Sequence, residues 1–429
     1  MSARKVTLAA LLMLVLGVLA AGCGDSEESG SGESNGAAAS ATKGPALDGD
    51  PLRVGVMCAC SGPAAGTAGG IPQLVDAWEK YTNDNGGING HPVEAILVDT
   101  KNDPAATVTQ AKKLIDQDKV QAIVAADYQG TAYAKLASKA GVPITGGNYA
   151  DQVFTSDPIF FPSGTTTPVF YYGMVSEAKA LGKTKFGVMA CAELPPCAGV
   201  SGLVEALAGI VGGVEVVSSA KVSATAPNYT AQCAQAKDAG ADVGLVAHSS
   251  DVIVRVADQC AQQGWKPLHT NYSSTVSANW LTTPSLDGAV TIQGNAPLGT
   301  DDTPGMKRFN EAMDQNASKY KESNQYGEVS INQWSGLELF KKAAENAKMD
   351  ASSTGEDTQK GLYAMKDETL DGISPPLNFV KGQPTAFVPC YFVQGIKGGE
   401  YTAPKGSEPT CVPEDEIGKI GEVLAAAAG

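Results

Sequence analysis

"HPVEAILVDTKNDPAATVTQAKKLIDQDKVQAIVAAD", residues 91–127, reads as strand, helix, strand. The two outer runs are apolar and β-rich, and the run between them is helix-patterned. Strands joined through a helix in this way lie parallel, with a right-handed crossover and both faces of the sheet covered. The same alternation extends in both directions. Upstream, "LRVGVMCA" is a buried strand, and "IPQLVDAWEKYTNDNGG" carries apolar residues at helical spacing and stops at glycine. Downstream come a helix in "GTAYAKLASKAG" and a strand in "VPITGG".

A stretch rich in turn formers and aromatics, "NYADQVFTSDPIFFPSGTTTP", interrupts the pattern. It then restarts with helix "PVFYYGMVSEAKALG", strand "TKFGVMAC", a helix around "VSGLVEALAGIVG" and strand "VEVVSSAKV". Helix "NYTAQCAQAKDAG", strand "ADVGLVAH", helix "SDVIVRVADQCAQQGW" and strand "KPLHTNYS" complete a second α/β sheet. After "LDGAVTIQGNAPL" there are helix-patterned segments near Met306–Gln315 and Ser330–Lys348, then strand candidates "GISPPLNFV" and "TAFVPCYFVQGI". These late elements are too few for a third domain and are expected to complete the two sheets. The fold class expected is α/β, with two doubly wound parallel-sheet lobes.

The start of the chain bears on location. Arg4 and Lys5 precede an uncharged run from Val6 to Ala21, which is shorter than the ~20 apolar residues a membrane span needs and closes in small residues. Residues 1–22 are therefore expected to be an export signal. Residues 24–50 contain no large apolar residue before Leu47, so they cannot offset chain entropy by burial. A flexible tether of that length reaches on the order of 30 Å.

The net charge of −15, with no Lys/Arg cluster or basic helix, argues against nucleic acid and anionic lipid as partners. Of the nine cysteines, eight follow Cys23, an even number that favours disulfides in an oxidising compartment. Plausible pairs are Cys191 with Cys197 around a proline loop, Cys233 with Cys260 on successive helices, and Cys390 with Cys411 across a C-terminal loop. Cys58 and Cys60 then remain, and joining them requires a bend, because normal pleat spacing exceeds the ~3.5–4.5 Å Cβ separation of a disulfide. With no C-x₂-C pair and three histidines, no metal site and no cofactor is expected.

The order of these segments, with "VGVMCACSGPAAG", "INGHPVEAILVDTKNDPAATVTQAKKLIDQDKVQAIV" and "ASKAGVPITGG", resembles the type I periplasmic binding proteins, in particular the branched-chain amino-acid receptors of ABC transporters. The resemblance covers roughly residues 51–400. Leu19-Ala20-Ala21-Gly22-Cys23 also resembles the lipobox of bacterial lipoproteins, which implies a lipid on Cys23, a tether over 23–50 and anchoring outside the cytoplasm. A plain secreted protein is the alternative.

The resemblance implies two lobes joined by three crossings, near Pro162–Thr165, Gln293–Ala296 and Phe387–Tyr391. Lobe 1 would hold residues 51–162 and 294–388, and lobe 2 residues 163–293 and 389–429. A small molecule would be trapped between them by a monomer and delivered to a membrane permease. In lobe 1 the matching loops hold Cys60, Ser61 and Gly62, then Asp127, Tyr128 and Gln129, then Asn148 and Tyr149. In lobe 2 they hold Glu193 and Leu194, then His248 and Ser249, then Tyr272 and Ser273. Two departures bear on the ligand. Asp127 opens a loop that is rich in serine and threonine in the leucine/isoleucine/valine receptors, and Ser273 occupies the place of their ammonium-binding glutamate. Asp127 or Glu193 could take that role, and Tyr128, Tyr149 and Tyr272 could stack on a ring.

A sensor reporting to a signalling partner would use the same fold, which does not separate the two roles. A hydrolase would need a nucleophile, a base and an orienting acid, yet no G-x-S-x-G elbow occurs. His91, after "GGING", reads as a turn at a strand start, and His269 as a structural residue within a strand. Only His248 sits where a site is expected. An enzyme is not expected.

Overall fold

The computed structural model describes residues 47–62, 65–147, 151–193, 195–385 and 388–428. The signal segment, most of the tether and Cys23 lie outside the described residues, as do Asn148, Tyr149, Leu194 and Phe387.

The first sheet is built from β1 (Leu52–Cys58), β2 (Val93–Asp99), β3 (Ala122–Ala126), β4 (Ile144–Gly147) and β5 (Phe160–Phe161), in the order β2-β1-β3-β4-β5. All its pairings are parallel. The short α1 (Ala65–Ala68) and the longer α2 (Ile71–Asp84) follow β1, while α3 (Pro104–Asp116) and α4 (Gly130–Ala140) follow β2 and β3. In α2 the apolar positions Ile71, Leu74, Val75 and Trp78 are all buried, so helical spacing places one stripe against the sheet. Asp103 starts α3 by accepting the Ala106 amide at 2.8 Å, with Pro104 at the first turn where no N–H is needed.

After β5 the chain enters α5 (Thr167–Ala180) and builds the second sheet from β6 (Lys185–Cys191), β7 (Glu215–Val222), β8 (Val243–Ala247), β9 (Leu268–Tyr272) and β10 (Val290–Gln293). These strands pair in parallel, with α6 (Val200–Val211), α7 (Thr230–Asp238) and α8 (Ser250–Gln262) between them. The chain then returns to the first sheet with α9 (Pro304–Asn316), α10 (Ser318–Lys321), α11 (Glu328–Asn346) and α12 (Gly355–Tyr363). It ends on the second sheet with β11 (Cys390–Lys397), β12 (Glu400–Thr402), β13 (Thr410–Cys411) and α13 (Glu414–Ala428). β11 adds antiparallel to β10, and β12 and β13 add antiparallel to β11.

Each sheet is packed on both faces. Val54, Val56 and Val124 join Trp78, Trp334 and Phe340 on one side of the first sheet, while Met57, Ile123 and Ile144 join Leu114 and Tyr133 on the other. In the second sheet, Val188 and Leu245 face Val169 and Leu207, and Met189 and Val246 face Val256 and Trp280. Fully buried strands of this kind read as continuous apolar runs, which is why "VQAIVAAD" and "ADVGLVAH" stand out.

The passages between the sheets lie side by side. The Thr165 amide donates to the Gly294 carbonyl at 3.2 Å, and its hydroxyl donates to the Cys390 carbonyl. Asn295 Nδ2 donates to the Ser163 carbonyl at 2.8 Å, and Asn332 Nδ2 donates to Asn295 Oδ1 at 2.9 Å. Ser163 and Thr165 of the first passage, Asn295 of the second and Asn332 of α11 are all buried. Their polar groups are therefore worth most when paired, and they fix where the strands cross.

One expected strand is absent. Residues 372–380, "GISPPLNFV", form turns, with Leu377 making an isolated bridge to Glu368. Pro375 and Pro376 have no amide hydrogen, so the run cannot complete a ladder. His91 pairs with Ile88 across the Asn89-Gly90 turn, where both central residues have positive φ. His269 is buried in β9, and burial pushes its imidazole down to about 4, so the ring is neutral at pH 7. Both histidines are thus part of the scaffold.

Four disulfides close: Cys58–Cys60, Cys191–Cys197, Cys233–Cys260 and Cys390–Cys411. The first spans a Cα separation of 5.1 Å, short of the ~6.6 Å of two residues in a regular strand, so the chain bends where β1 ends. Among the described residues no helix is long and apolar enough to cross a membrane, and no group of side chains has the make-up of a metal site.

Candidate ligand cleft

The C-terminal ends of parallel strands are where loops and helix N-termini gather, and here each sheet contributes one such edge. At the first edge the bend at Cys58–Cys60 carries half-buried Ser61 and exposed Gly62 out of the sheet. Ser61 Oγ donates to Asp99 Oδ2 at 2.5 Å, and the Ser61 and Lys101 amides donate to Asp99 Oδ1 at 3.3 and 2.9 Å. Burial works to raise the Asp99 carboxyl, but the Ser61 hydroxyl and these amides outweigh it and hold Asp99 below its ordinary range.

The loop after β3 separates its three candidates. Asp127 is 1% exposed, so it lies beneath the edge rather than on it. Burial raises its carboxyl to about 7, against hydrogen bonds from the Gln129 amide, Thr100 and Thr107, and the charge of Asp151 adds to the rise. Tyr128 projects outward and is 42% exposed. Its amide donates to Asn102 Oδ1 at 3.2 Å, and Gln129 Nε2 donates to the Asn102 carbonyl at 3.3 Å. Asn102 and Lys101, both at positive φ, shape the neighbouring turn.

At the second edge Glu193, which follows β6 inside the Cys191–Cys197 loop, organises its surroundings. Its Oε1 accepts from Ser223 Oγ and from the Ala224 amide, both at 2.7 Å, and Oε2 accepts from the Ala192 amide at 3.0 Å. The Ser223 hydroxyl, ahead of the Ala224 amide, holds this carboxyl down to about 2. His248 Nε2 lies 3.3 Å from Glu193 Oε2. The Ser249 amide donates to His248 Nδ1 at 2.8 Å, so the lone pair is on Nδ1 and the neutral ring carries its proton on Nε2, facing the glutamate. Although Ser249 Oγ is 3.3 Å from Nδ1, that lone pair already has a donor and is not free to take a hydroxyl proton.

Half-buried Tyr272 ends β9, packed between Phe170 and Tyr171 with ring centroids 5.8 Å away in each case. Its hydroxyl is bonded to that of Tyr171, and burial followed by the nearby Tyr128 pushes it up to about 12. Ser273, the next residue, is buried. A contact between the edges is given by Gly66, where an added Cβ would stand 3.7 Å from Asp251 Oδ2 in the first turn of α8.

The structure therefore gathers Ser61, Gly62, Tyr128 and Gln129 at one edge and Glu193, His248, Ser249 and Tyr272 at the other. Residues not anticipated from sequence are Asp99, Asn102, Asp151 and Asp251, together with Phe170 and Tyr171 behind Tyr272. Asp99 is the last residue of β2, and it reads as strand rather than loop in "VEAILVDT".

Two doubly wound lobes whose strand ends face one another define a bilobed solute-binding fold. The chain belongs to the periplasmic binding protein family, whose model matches residues 51–400. It resembles a branched-chain amino acid ABC transporter protein from Thermus thermophilus with bound valine, at 15% identity and a TM-score of 0.73, covering 88% of this chain and 100% of that one. An extracellular ligand-binding receptor from Verminephrobacter eiseniae is 20% identical with a TM-score of 0.70, covering 82% and 99%. A solute-binding protein of an ABC transporter from R. palustris, in complex with 4-hydroxybenzoate, is 19% identical with a TM-score of 0.66, covering 86% and 99%. At these identities the likeness is one of fold. No curated protein matches the chain.

Proposed function

We propose that the protein is the extracytoplasmic receptor of an ABC importer, which traps a small polar or aromatic solute between its lobes and delivers it to a membrane permease. The observation that carries this reading is that the two strand edges close on one another, with an added Cβ at Gly66 of the first standing 3.7 Å from Asp251 Oδ2 of the second. A solute held by both edges binds the closed form better than the open one, and closure is favoured only by that difference in affinity. The contact set is Cys60, Ser61, Gly62, Tyr128, Gln129, Asn148 and Tyr149 from lobe 1, with Glu193, His248, Ser249, Tyr272 and Ser273 from lobe 2, and Asp127 beneath them. The lobes divide as 51–162 with 294–388 and 163–293 with 389–429, and the side-by-side passages serve as the hinge.

A panel of amino acids, aromatic acids and amines tests the reading by thermal melting. A ligand present at about a hundred times its Kd adds ~2.7 kcal/mol to the folded state, which raises Tm by several degrees. A panel that leaves Tm unmoved contradicts it. The lipid anchor on Cys23 has its own test. Cys23→Ser is expected to move the protein from the membrane fraction to the soluble one, and a variant that stays membrane-bound rules the anchor out.

A further inference from the structure

The lobes also meet at a place apart from the chain passages between the sheets. The segment after β9, residues 273–280, is seated in the second lobe. Its Val276 and Trp280 are buried with Met189 and Val246 of that sheet, and Ser277 Oγ donates to Ser250 Oγ at 2.8 Å. The segment before α11, residues 320–327, is seated in the first lobe. Its Tyr320 and Tyr326 belong to the core of the first sheet and pack edge to face, with ring centroids 5.5 Å apart. These two segments touch through their backbones. The Ala278 amide donates to the Tyr326 carbonyl at 3.0 Å, and Ser277 and Gly327 form an isolated antiparallel bridge.

Gly327 permits the approach. A Cβ added there would stand 2.7 Å from the Val276 carbonyl oxygen and 2.8 Å from Ser277 Cα, backbone atoms that cannot turn aside as a side chain can. Its own backbone is extended, with φ −176, which any residue adopts. The chain conformation therefore does not call for glycine at 327, and the close passage of the other lobe does. Hydrogen bonds on each side link this contact to the Gly66–Asp251 approach at the strand edges. Gln325 Nε2 donates to the Ala65 carbonyl at 3.0 Å in the first lobe, and Asn279 Nδ2 donates to Asp251 Oδ1 at 3.1 Å in the second.

We propose that the docking of the Ser277–Ala278 backbone on Tyr326–Gly327 is a latch that holds the lobes closed, and that Gly327 is the residue that lets it engage. Such a latch favours the closed form by the same amount whatever the solute, so it raises the affinity for every solute by one factor. That consequence rests on the receptor reading, whereas the latch itself can be tested without solute.

Small-angle scattering of the solute-free full chain, with titration of every solute that the thermal panel finds, tests it on Gly327→Ala and Ala278→Pro. The second variant removes the donor instead of adding bulk, at the first position of the 3-10 turn Ala278–Trp280, where proline is tolerated. Neither residue lies in a strand of either sheet, so both variants are expected to keep a cooperative melt. The radius of gyration is expected to exceed that of the wild type in both. Each affinity is expected to fall by one common factor of about two to ten, the worth of one backbone hydrogen bond. A radius of gyration and affinities equal to the wild type overturn the latch and leave the receptor reading standing. A loss that differs from solute to solute also overturns it, because that marks a residue touching solute. Loss of the cooperative melt in both variants would make the contact part of the scaffold and overturn the latch as well. If no solute binds the wild type, the receptor reading falls, and an unchanged radius of gyration then overturns the latch by itself.

Discussion

Tyr128→Ala is expected to weaken solute binding roughly ten- to hundred-fold, or about 1.4–2.8 kcal/mol, while leaving the fold intact. The separation of the two effects follows from where the side chain sits. Tyr128 is 42% exposed at the end of β3, so its loss removes little packing. The backbone contact that orders its loop, from the Tyr128 amide to Asn102 Oδ1, does not depend on the ring. The ring stands at the strand edge where the proposed solute is held, so removing it takes contact area from the solute rather than from the core. Tyr272→Ala would be a poorer probe, because Phe170 and Tyr171 pack on that ring and a cavity would confuse binding with stability. Titration of the variant with the best solute of the panel checks the prediction, and an affinity unchanged within twofold contradicts it.

The second large effect is on stability. Gly147→Ala is expected to cost about 3 kcal/mol or more and to lower Tm by roughly 6–12 °C. Gly147 closes β4 with φ +106, a conformation that L residues rarely adopt, and an added Cβ would run into the Ala125 carbonyl oxygen. Ala125 is its partner in the β3–β4 ladder, beside a register irregularity, so neither backbone can retreat without breaking the central sheet. Gly182→Ala provides the control. That glycine also has positive φ, +72, but nothing lies within 4 Å of an added Cβ, so about 1 kcal/mol is expected. Thermal melts of the two variants give the comparison, and similar small losses in both would show that the close approach at Gly147 does not matter.

The parts of the fold legible in the sequence are those in which one physical pattern dominates. β3 and β8 are buried on both faces and have no competing reading. The amphipathic stripes of α2 and α8 are equally plain. What was illegible depends on tertiary pairing. β5 and β13 are two residues each and exist because a neighbour is already in place. α12 hides behind Gly361, a poor helix former that is needed because its Cα passes against the Ala343 backbone. "GISPPLNFV" misled because apolar content outweighed the missing proline donors.

The cleft was half legible for a related reason. Loops at strand ends can be located from alternation, and the family resemblance is what singled out Ser61, Tyr128, Glu193 and His248 within them. Which way a side chain turns cannot be read from spacing. Asp127 and Tyr128 are adjacent, yet one is enclosed and the other projects. Asp99 and Asp151, which take up the backbone donors, lie at positions with no distinguishing pattern in sequence.

The central claim is that the cleft holds one small solute between its lobes. Native mass spectrometry of the full chain against the panel of amino acids, aromatic acids and amines measures that directly. A single adduct of one solute per chain is expected, lost in Tyr128→Ala and released on unfolding. A bare chain with every member of the panel, or an adduct that persists after unfolding, would contradict it.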